Sequence, residues 1–500
     1  MSASLLGVEG HPVEVEVRIS AQLPRIDIVG LPEASVRESA ARVRAAVASL
    51  GERFPQSRVT VNLAPASLRK SGATLDLAIA VGILLASGAI DHDAAERTAF
   101  VGELALDGRL RPVRGALAMA LAVRDAGCRR LVAPARSAIQ AALAPGIEVL
   151  AADSLESVVA HLRGADRLCV AVAGQPQSDD DQPPACLSEV RGQAAAKRAL
   201  LVAAAGGHGI LLLGPPGAGK TMLARRLPGL LPPLGEDEML EATRIHGAAG
   251  LLREQGGVVR VRPFRAPHHS ASAAGMLGGG HPLQPGEVSL AHTGVLFLDE
   301  LPEFDRRIRE SLRQVLEERA VVLSRAGQTC RLPADFTLAC AANPCPCGWF
   351  GSDRRDCRCD EHGVERYRAR ISGPLLDRID LHVDVPAQAW ADIGGGPDGP
   401  TSAELAGLVA AARARQRARG VSCNARLPDA DLEDRIGLTG PARALLGHAV
   451  DRLALSARAA RRVLRVARTV ADLEDERDVD ERAVAEALRH RSERPPGPAR

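Results

Sequence analysis

Alternating hydrophobic and polar positions occupy the first part of the chain. "VEVEVRI" (Val13 to Ile19) and "RVTVNLA" (Arg58 to Ala64) repeat with period two and predict strands with one face buried. Between them "EASVRESAARVRAAVASL" changes to helical spacing, so residues 1–172 read as an α+β block. "LAIAVGILLASGAI" (Leu77 to Ile90) is apolar throughout but too short for a membrane span, and predicts a buried helix. Further along, apolar strand-like runs alternate with helices over residues 186–393, the pattern of a parallel α/β sheet. Residues 394–500 read as helices. In "SARAARRVLRVARTVADL" the residues Val463, Val466, Val470 and Leu473 recur at helical spacing, with arginines on the other faces. Two polar, Pro- or Gly-rich stretches, 173–185 and "GGGPDGP" (Gly394 to Pro400), read as linkers between these blocks.

Composition changes this picture in two places. Net charge is only +2 over 500 residues, so a nucleic-acid site would have to be a local patch. Of 63 basic residues only Lys70, Lys197 and Lys220 are lysine. Because the two cationic groups are not interchangeable at tight sites, these lysines read either as positions where a guanidinium does not fit or, where no motif agrees, as chance survivors. The start "MSASLLGVEG" lacks the basic segment and apolar core of a signal peptide, which makes the cytoplasm the expected compartment. In that reducing setting structural disulfides are not expected, and Cys128, Cys169, Cys186, Cys330, Cys340 and Cys423 read as small core residues or bystanders.

"ILLLGPPGAGKT" (Ile210 to Thr221) is an apolar strand running into G-x-x-x-x-G-K-T and then a helix. Such a loop, Gly214, Pro215, Pro216, Gly217, Ala218 and Gly219, lets backbone N–H groups curl around the phosphates of a nucleotide such as ATP. Lys220 then reaches the terminal phosphates and Thr221 offers a hydroxyl to Mg2+. "VLFLDE" supplies the carboxylates this arrangement needs: Asp299 to hold the magnesium and Glu300 to orient the attacking water. "FTLACAAN" ends in Asn343, which emerges either as a contact to the γ-phosphate or attacking water, or as a turn residue.

"NPCPCGWFGSDRRDCRCD" follows at once, with Cys345, Cys347, Cys357 and Cys359 spaced C-x-C-x9-C-x-C. Four thiolates on two short arms suit a tetrahedral Zn2+ site, with His362 as a substitute ligand and free or redox-active thiols as the alternative. "FRAPHH" carries His268 and His269 without a carboxylate or cysteine at ligand spacing. A structural or substrate-facing role is expected there rather than metal binding.

Taken in order, "GQAAAKRAL", "GPPGAGKT", "RPFRAPHHSASAAGMLGGG", "PGEVSLAHTGVLFLDELPEF", "AANPCPCG", "RISGPLLDRIDLHVDVP" and "SARAARRVLRVARTVADL" resemble the ComM/YifB family of magnesium-chelatase-like AAA+ ATPases over nearly the whole chain. The resemblance implies three parts: a Lon-protease-like α+β domain over 1–172, a P-loop AAA+ core over 186–393 and a helical lid over 394–500. It also implies a homo-oligomeric ring, a hexamer, with ATP between subunits. By motif, Asn343 is the sensor-1 residue and Arg378 in "GPLLDRID" the arginine finger that reaches the neighbour's ATP. Arg458 resembles the sensor-2 arginine, with Arg461 and Arg462 as neighbouring choices.

"GELALDGRLRPVRG" and "LRKSGATLDLAIAVGIL" carry the likeness to Lon, whose Ser–Lys dyad would fall at Thr74 and Leu117. No lysine lies between Lys70 and Lys197, so proteolysis is not expected, and assembly or substrate engagement is. Family members resemble DNA motors, and ComM-type proteins are associated with branch migration during natural transformation. The resemblance therefore implies single-stranded or branched DNA as a partner and no membrane. "RPFRAPHH" and the arginines Arg461, Arg465 and Arg468 are the candidate grips, although aromatic content of 2% offers little for base stacking. Two rival readings are a protein-remodelling ATPase and a metal-chelatase-type subunit. The D-x-S-x-S metal-adhesion motif that some chelatase partners carry does not occur in this chain.

Overall fold

In the computed structural model, residues 1–70, 72–173, 185–252, 257–325, 328–371, 373–388, 398–430 and 432–491 are described. Most of the expected linker 173–185 and residues 394–397 of the second one lie outside them.

The alternating segments expected near the start are strands. Glu9–Ser20 and Arg58–Ala64 pair antiparallel, inside a four-stranded sheet with Ser2–Leu6 on one side and Arg25–Val29 on the other. Val59, Val61 and Leu63 face inward in strict alternation, as period two requires. They pack with the apolar helix Asp76–Ala86, whose Leu77, Ile79, Val81 and Ile83 are buried. Its apolar length is satisfied by burial on nearly all sides. A second four-stranded sheet follows, ordered Cys169–Val170, Glu148–Ala152, Arg130–Pro134, Thr98–Phe100.

Five parallel strands form the central sheet, in the order Phe264–Arg265, Val295–Leu298, Thr337–Ala342, Ile210–Leu213, Leu381–Asp384. Both faces are covered, which is why these strands read as continuous apolar runs. Ile210, Leu212, Phe297 and Ala339 face the helix Ala194–Gly206 and the C-terminal helices. Leu211, Leu296, Leu298 and Leu338 face Ile308, Leu312 and Val315 of the helix Arg306–Glu318. The hairpin Ala320–Arg325 with Gln328–Pro333 stands outside the sheet. Its Val321 and Leu332 share a buried cluster with Val8, from the turn after the first strand.

The C-terminal part is helical: Ser402–Ala418, Leu432–Ile436, Gly440–Leu453, Ala457–Leu473 and Glu481–Arg489. Ser456 caps the fourth by accepting from the Ala459 N–H at 3.1 Å. Val463, Val466 and Val470 are buried on its inner face, as the spacing predicts. A buried polar cluster ties this helix to the sheet. His208 Nδ1 lies 2.9 Å from Asp380 and its Nε2 lies 2.8 Å from the Thr469 hydroxyl, while Arg462 donates to Asp380 at 2.6 Å. Burial pushes the Asp380 pKa up, but the hydrogen bond with His208 and the charge of Arg462 bring it down to about 2.

Candidate nucleotide site and cysteine cluster

Strand order brings the expected residues together. The strand leading to Asn343 lies between the one leading into the Gly-rich loop and the one leading to Asp299 and Glu300. All three open at the same, C-terminal edge of the parallel sheet. Gly217 and Gly219 have φ of +77° and +90° with open space around them, so it is backbone conformation that requires glycine there. Lys220, at the start of the helix Lys220–Ala224, curls back into the loop. Its ammonium donates to the Gly214 and Pro215 carbonyls at 2.7 and 2.9 Å and to Asn343 Oδ1 at 3.0 Å. Burial lowers its pKa, with Asp299 and Glu300 pulling the other way.

The Thr221 hydroxyl donates to Asp299 Oδ2 at 2.7 Å. A hydroxyl and a carboxylate are hard oxygen donors, the set Mg2+ takes. Glu300 follows in a left-handed backbone conformation, φ +53°. Non-glycine residues held there cost energy and cluster at functional sites. Its carboxylate turns toward His269, whose Nδ1 is 3.4 Å away, and the rings of His268 and His269 lie 4.1 Å apart. The sequence placed His269 in a structural or substrate-facing role; the structure sets it beside the candidate catalytic carboxylate. The available signal was its position four residues after Phe264–Arg265, the strand that pairs with Val295–Leu298.

Arg378 and Arg458 are not near this edge. Arg378 lies three residues before the start of the strand Leu381–Asp384, and Asp380 N–H donates to the carbonyl of Gly209, just before the strand Ile210–Leu213. Four residues of strand, about 13 Å, separate that end from the loop. Both arginines instead reach Glu317, Arg458 at 3.5 Å.

The four clustered cysteines are brought together, with all sulfurs within 4.8 Å of one another. Cys345 lies 3.4 Å from Cys347 and 3.6 Å from Cys357, and Cys347 lies 3.5 Å from Cys357. A tetrahedral zinc–thiolate site has edges of about 3.8 Å, so the donor set fits the ion. Backbone N–H groups of Cys347 and Phe350 point at the Cys359 and Cys345 sulfurs at 3.4 and 3.3 Å, donors that would stabilise thiolates. His362 is exposed and lies beside Glu365, outside the group. Gly348 in this knuckle, φ +82°, packs on the loop itself: a Cβ there would meet Pro216 Cδ at 2.5 Å.

Other expected residues fare differently. Thr74 Oγ1 lies 3.5 Å from the Ala3 carbonyl, and Leu117 is a buried apolar side chain. Lys70 is fully buried and donates to the carbonyls of Gly30 and Leu63 at 2.9 Å and to that of Pro65. Of the arginines expected to grip DNA, Arg461 is exposed beside Asp429, and Arg468 needs correction. Arg468 is 3% exposed and pinned to Asp472 and to main-chain carbonyls, so it cannot meet a phosphate. Arg465 is held by the Leu427 carbonyl and Asp429, and Arg265 forms a two-pronged pair with Glu287. Period alone could not show that these positions face neighbouring elements. Among the described residues no helix is long and apolar enough to cross a membrane.

Three family descriptions match the chain. "Magnesium chelatase, subunit ChlI" covers residues 186–393, "Subunit ChlI of Mg-chelatase" residues 15–137, and "Magnesium chelatase, subunit ChlI C-terminal" residues 399–491. An uncharacterised protein of Mycobacterium tuberculosis is 42% identical over 94% of this chain and 94% of its own. The competence protein ComM of Haemophilus influenzae is 40% identical over 98% of this chain and 96% of its own. The uncharacterised protein YifB of Escherichia coli is 41% identical over 97% and 95%.

Proposed function

The chain belongs to the ComM/YifB family of magnesium-chelatase-like AAA+ proteins, and from that premise we propose that it is an ATP-hydrolysing ring motor acting on DNA. The observation that carries the ATPase reading is the convergence of Lys220, Thr221, Asp299 and Asn343 at one edge of three adjacent strands. The Gly214–Gly219 backbone and Lys220 bind the phosphates of ATP, while Thr221 and Asp299 hold Mg2+. That ion, when bound, neutralises charge on the transferring phosphoryl group. Glu300 orients and polarises the attacking water, and Asn343 contacts the γ-phosphate or that water. Arg378 acts on the nucleotide of the next subunit in a hexamer, and Arg458 works from the same side. Cys345, Cys347, Cys357 and Cys359 hold a structural Zn2+ that braces the knuckle against Pro216.

In this reading residues 1–172 are a Lon-like domain for assembly or substrate engagement, residues 186–393 the core and 394–500 the lid. The DNA assignment draws on the competence protein of H. influenzae, and its finer form is branch migration during uptake of incoming DNA. The test is ATP turnover with single-stranded, duplex and branched DNA and with an unfolded protein. Stimulation by DNA, greatest with branched substrates, is expected. Indifference to all three DNAs overturns the motor reading, and stimulation by the unfolded protein alone replaces it with protein remodelling. Metal analysis of protein purified without chelator should find about one zinc per chain, as a four-thiolate site holds; well under one overturns the zinc assignment.

A further inference from the structure

The helix Arg306–Glu318 ends one residue after Glu317, at the edge of the core opposite the P-loop. Arg378 donates to the Glu317 carboxylate through one terminal nitrogen, and its other is fixed 2.6 Å from the Pro374 carbonyl. Arg458 approaches the same oxygen at 3.5 Å from the start of the lid helix Ala457–Leu473. One carboxylate oxygen therefore gathers two guanidinium groups from two different parts of the fold. The neighbouring Arg462 and Arg426 have carboxylates of their own, Asp380 and Asp335.

The Glu317 side chain is 50% exposed and lies between an exposed Arg458, at 57%, and an Arg378 that is only 8% exposed. Two guanidinium groups around a single carboxylate leave an excess positive charge there. Their convergent N–H groups suit a phosphate oxygen as well as a carboxylate. A terminal phosphate carries more negative charge than a carboxylate and can accept from both arginines at once.

We infer that Glu317 is an internal stand-in for the terminal phosphate of a nucleotide carried by a second copy of this chain. In the separate subunit it holds Arg378 and Arg458 together; when subunits close, the neighbour's phosphate displaces it. Glu317 thus opposes assembly of the active interface and sets how readily the arginines change partner. The inference rests on the proposed action of Arg378 across the subunit interface.

The test follows ATP turnover per chain against total protein concentration. Glu317→Gln keeps the shape of the side chain and removes the charge. It should lower the half-maximal protein concentration by about two- to fivefold, the scale of an exposed ion pair. Glu318→Gln makes the same charge change at the next position of the helix and should leave that concentration unchanged. An unchanged or raised midpoint in Glu317→Gln, or reduced turnover at saturating protein, overturns the stand-in role. An equal shift in Glu318→Gln overturns it as well, since net charge alone would then be responsible. Undiminished turnover in Arg378→Ala overturns the finger assignment itself and this inference with it. Lost turnover there with no Glu317 effect overturns the inference alone.

Discussion

Asp299 and Glu300 leave the same strand side by side yet meet different groups, Asp299 the Thr221 hydroxyl and Glu300 the His269 ring. Removing the charge of Glu300 therefore leaves the contacts of Lys220, Thr221 and Asp299 in place. Glu300→Gln is expected to keep ATP binding and ring formation while turnover falls by about 10²–10⁴-fold, the usual worth of a positioned proton-handling group. Nucleotide binding and single-turnover hydrolysis check it, and unchanged hydrolysis would mean another group activates the water. A second residue gives a pH signature. Burial pulls the His382 imidazole down to about 4. Between there and the ordinary value near ~6.5 the unfolded chain takes up a proton that the folded chain refuses, so stability falls as pH drops through that window. Denaturation at pH 7 and at pH 4.5 should show a smaller loss in His382→Gln than in the parent, by about 2–3 kcal/mol. At this scale the sequence was readable where composition was skewed. All three lysines are buried, at 0%, 9% and 8% exposure; Lys70 and Lys220 each donate to two or more main-chain carbonyls and Lys197 to that of Asp398. A compact ammonium fits such a ring of carbonyl oxygens and a planar guanidinium does not. His269 was not readable, because its role comes from a neighbouring strand.

The helix Ala457–Leu473 shows how much an element's pattern can and cannot say. Its buried valines follow from period, and so does the existence of the helix. The partners of its polar residues do not follow, since they come from other C-terminal segments. Asp472 is fully buried and accepts from Arg468 at 3.1 Å, from Arg419 at 2.9 Å and from Asn424 at 2.8 Å. It thereby joins this helix to the end of Ser402–Ala418 and the turn after it. Asp472→Ala would leave a buried guanidinium without its counter-charge, and is expected to cost about 3–5 kcal/mol. Equilibrium denaturation measures the loss; a change under 1 kcal/mol would show that water or the carbonyls suffice for Arg468. The cysteine knuckle divides in the same way. Its spacing announced a cluster, and the four sulfurs do converge. Its contact through Gly348 with Pro216 lies more than a hundred residues away in sequence and left no local trace.

For the whole molecule the decisive fact is the polarity of the parallel sheet. Every strand that carries a P-loop, acid or sensor residue delivers it at the C-terminal edge, while Arg378 stands at the N-terminal edge beside Gly209. No rotamer change spans the roughly 13 Å of strand between them, so one chain cannot bring its own Arg378 to its own Lys220. A second copy can, if copies pack head to tail, and head-to-tail contacts that close make a ring. This geometry predicts complementation. Arg378→Ala subunits retain the P-loop and lack the finger, whereas Lys220→Ala subunits retain the finger and lack the P-loop. Each alone should be inactive. Mixed one to one at random, about a quarter of head-to-tail interfaces pair an intact P-loop with an intact finger. Turnover should therefore recover to at most about that fraction of the parent rate, following the product of the two subunit fractions as the ratio is varied. Failure to recover any activity at any ratio, with mixed rings shown to form, would place Arg378 outside the catalytic interface.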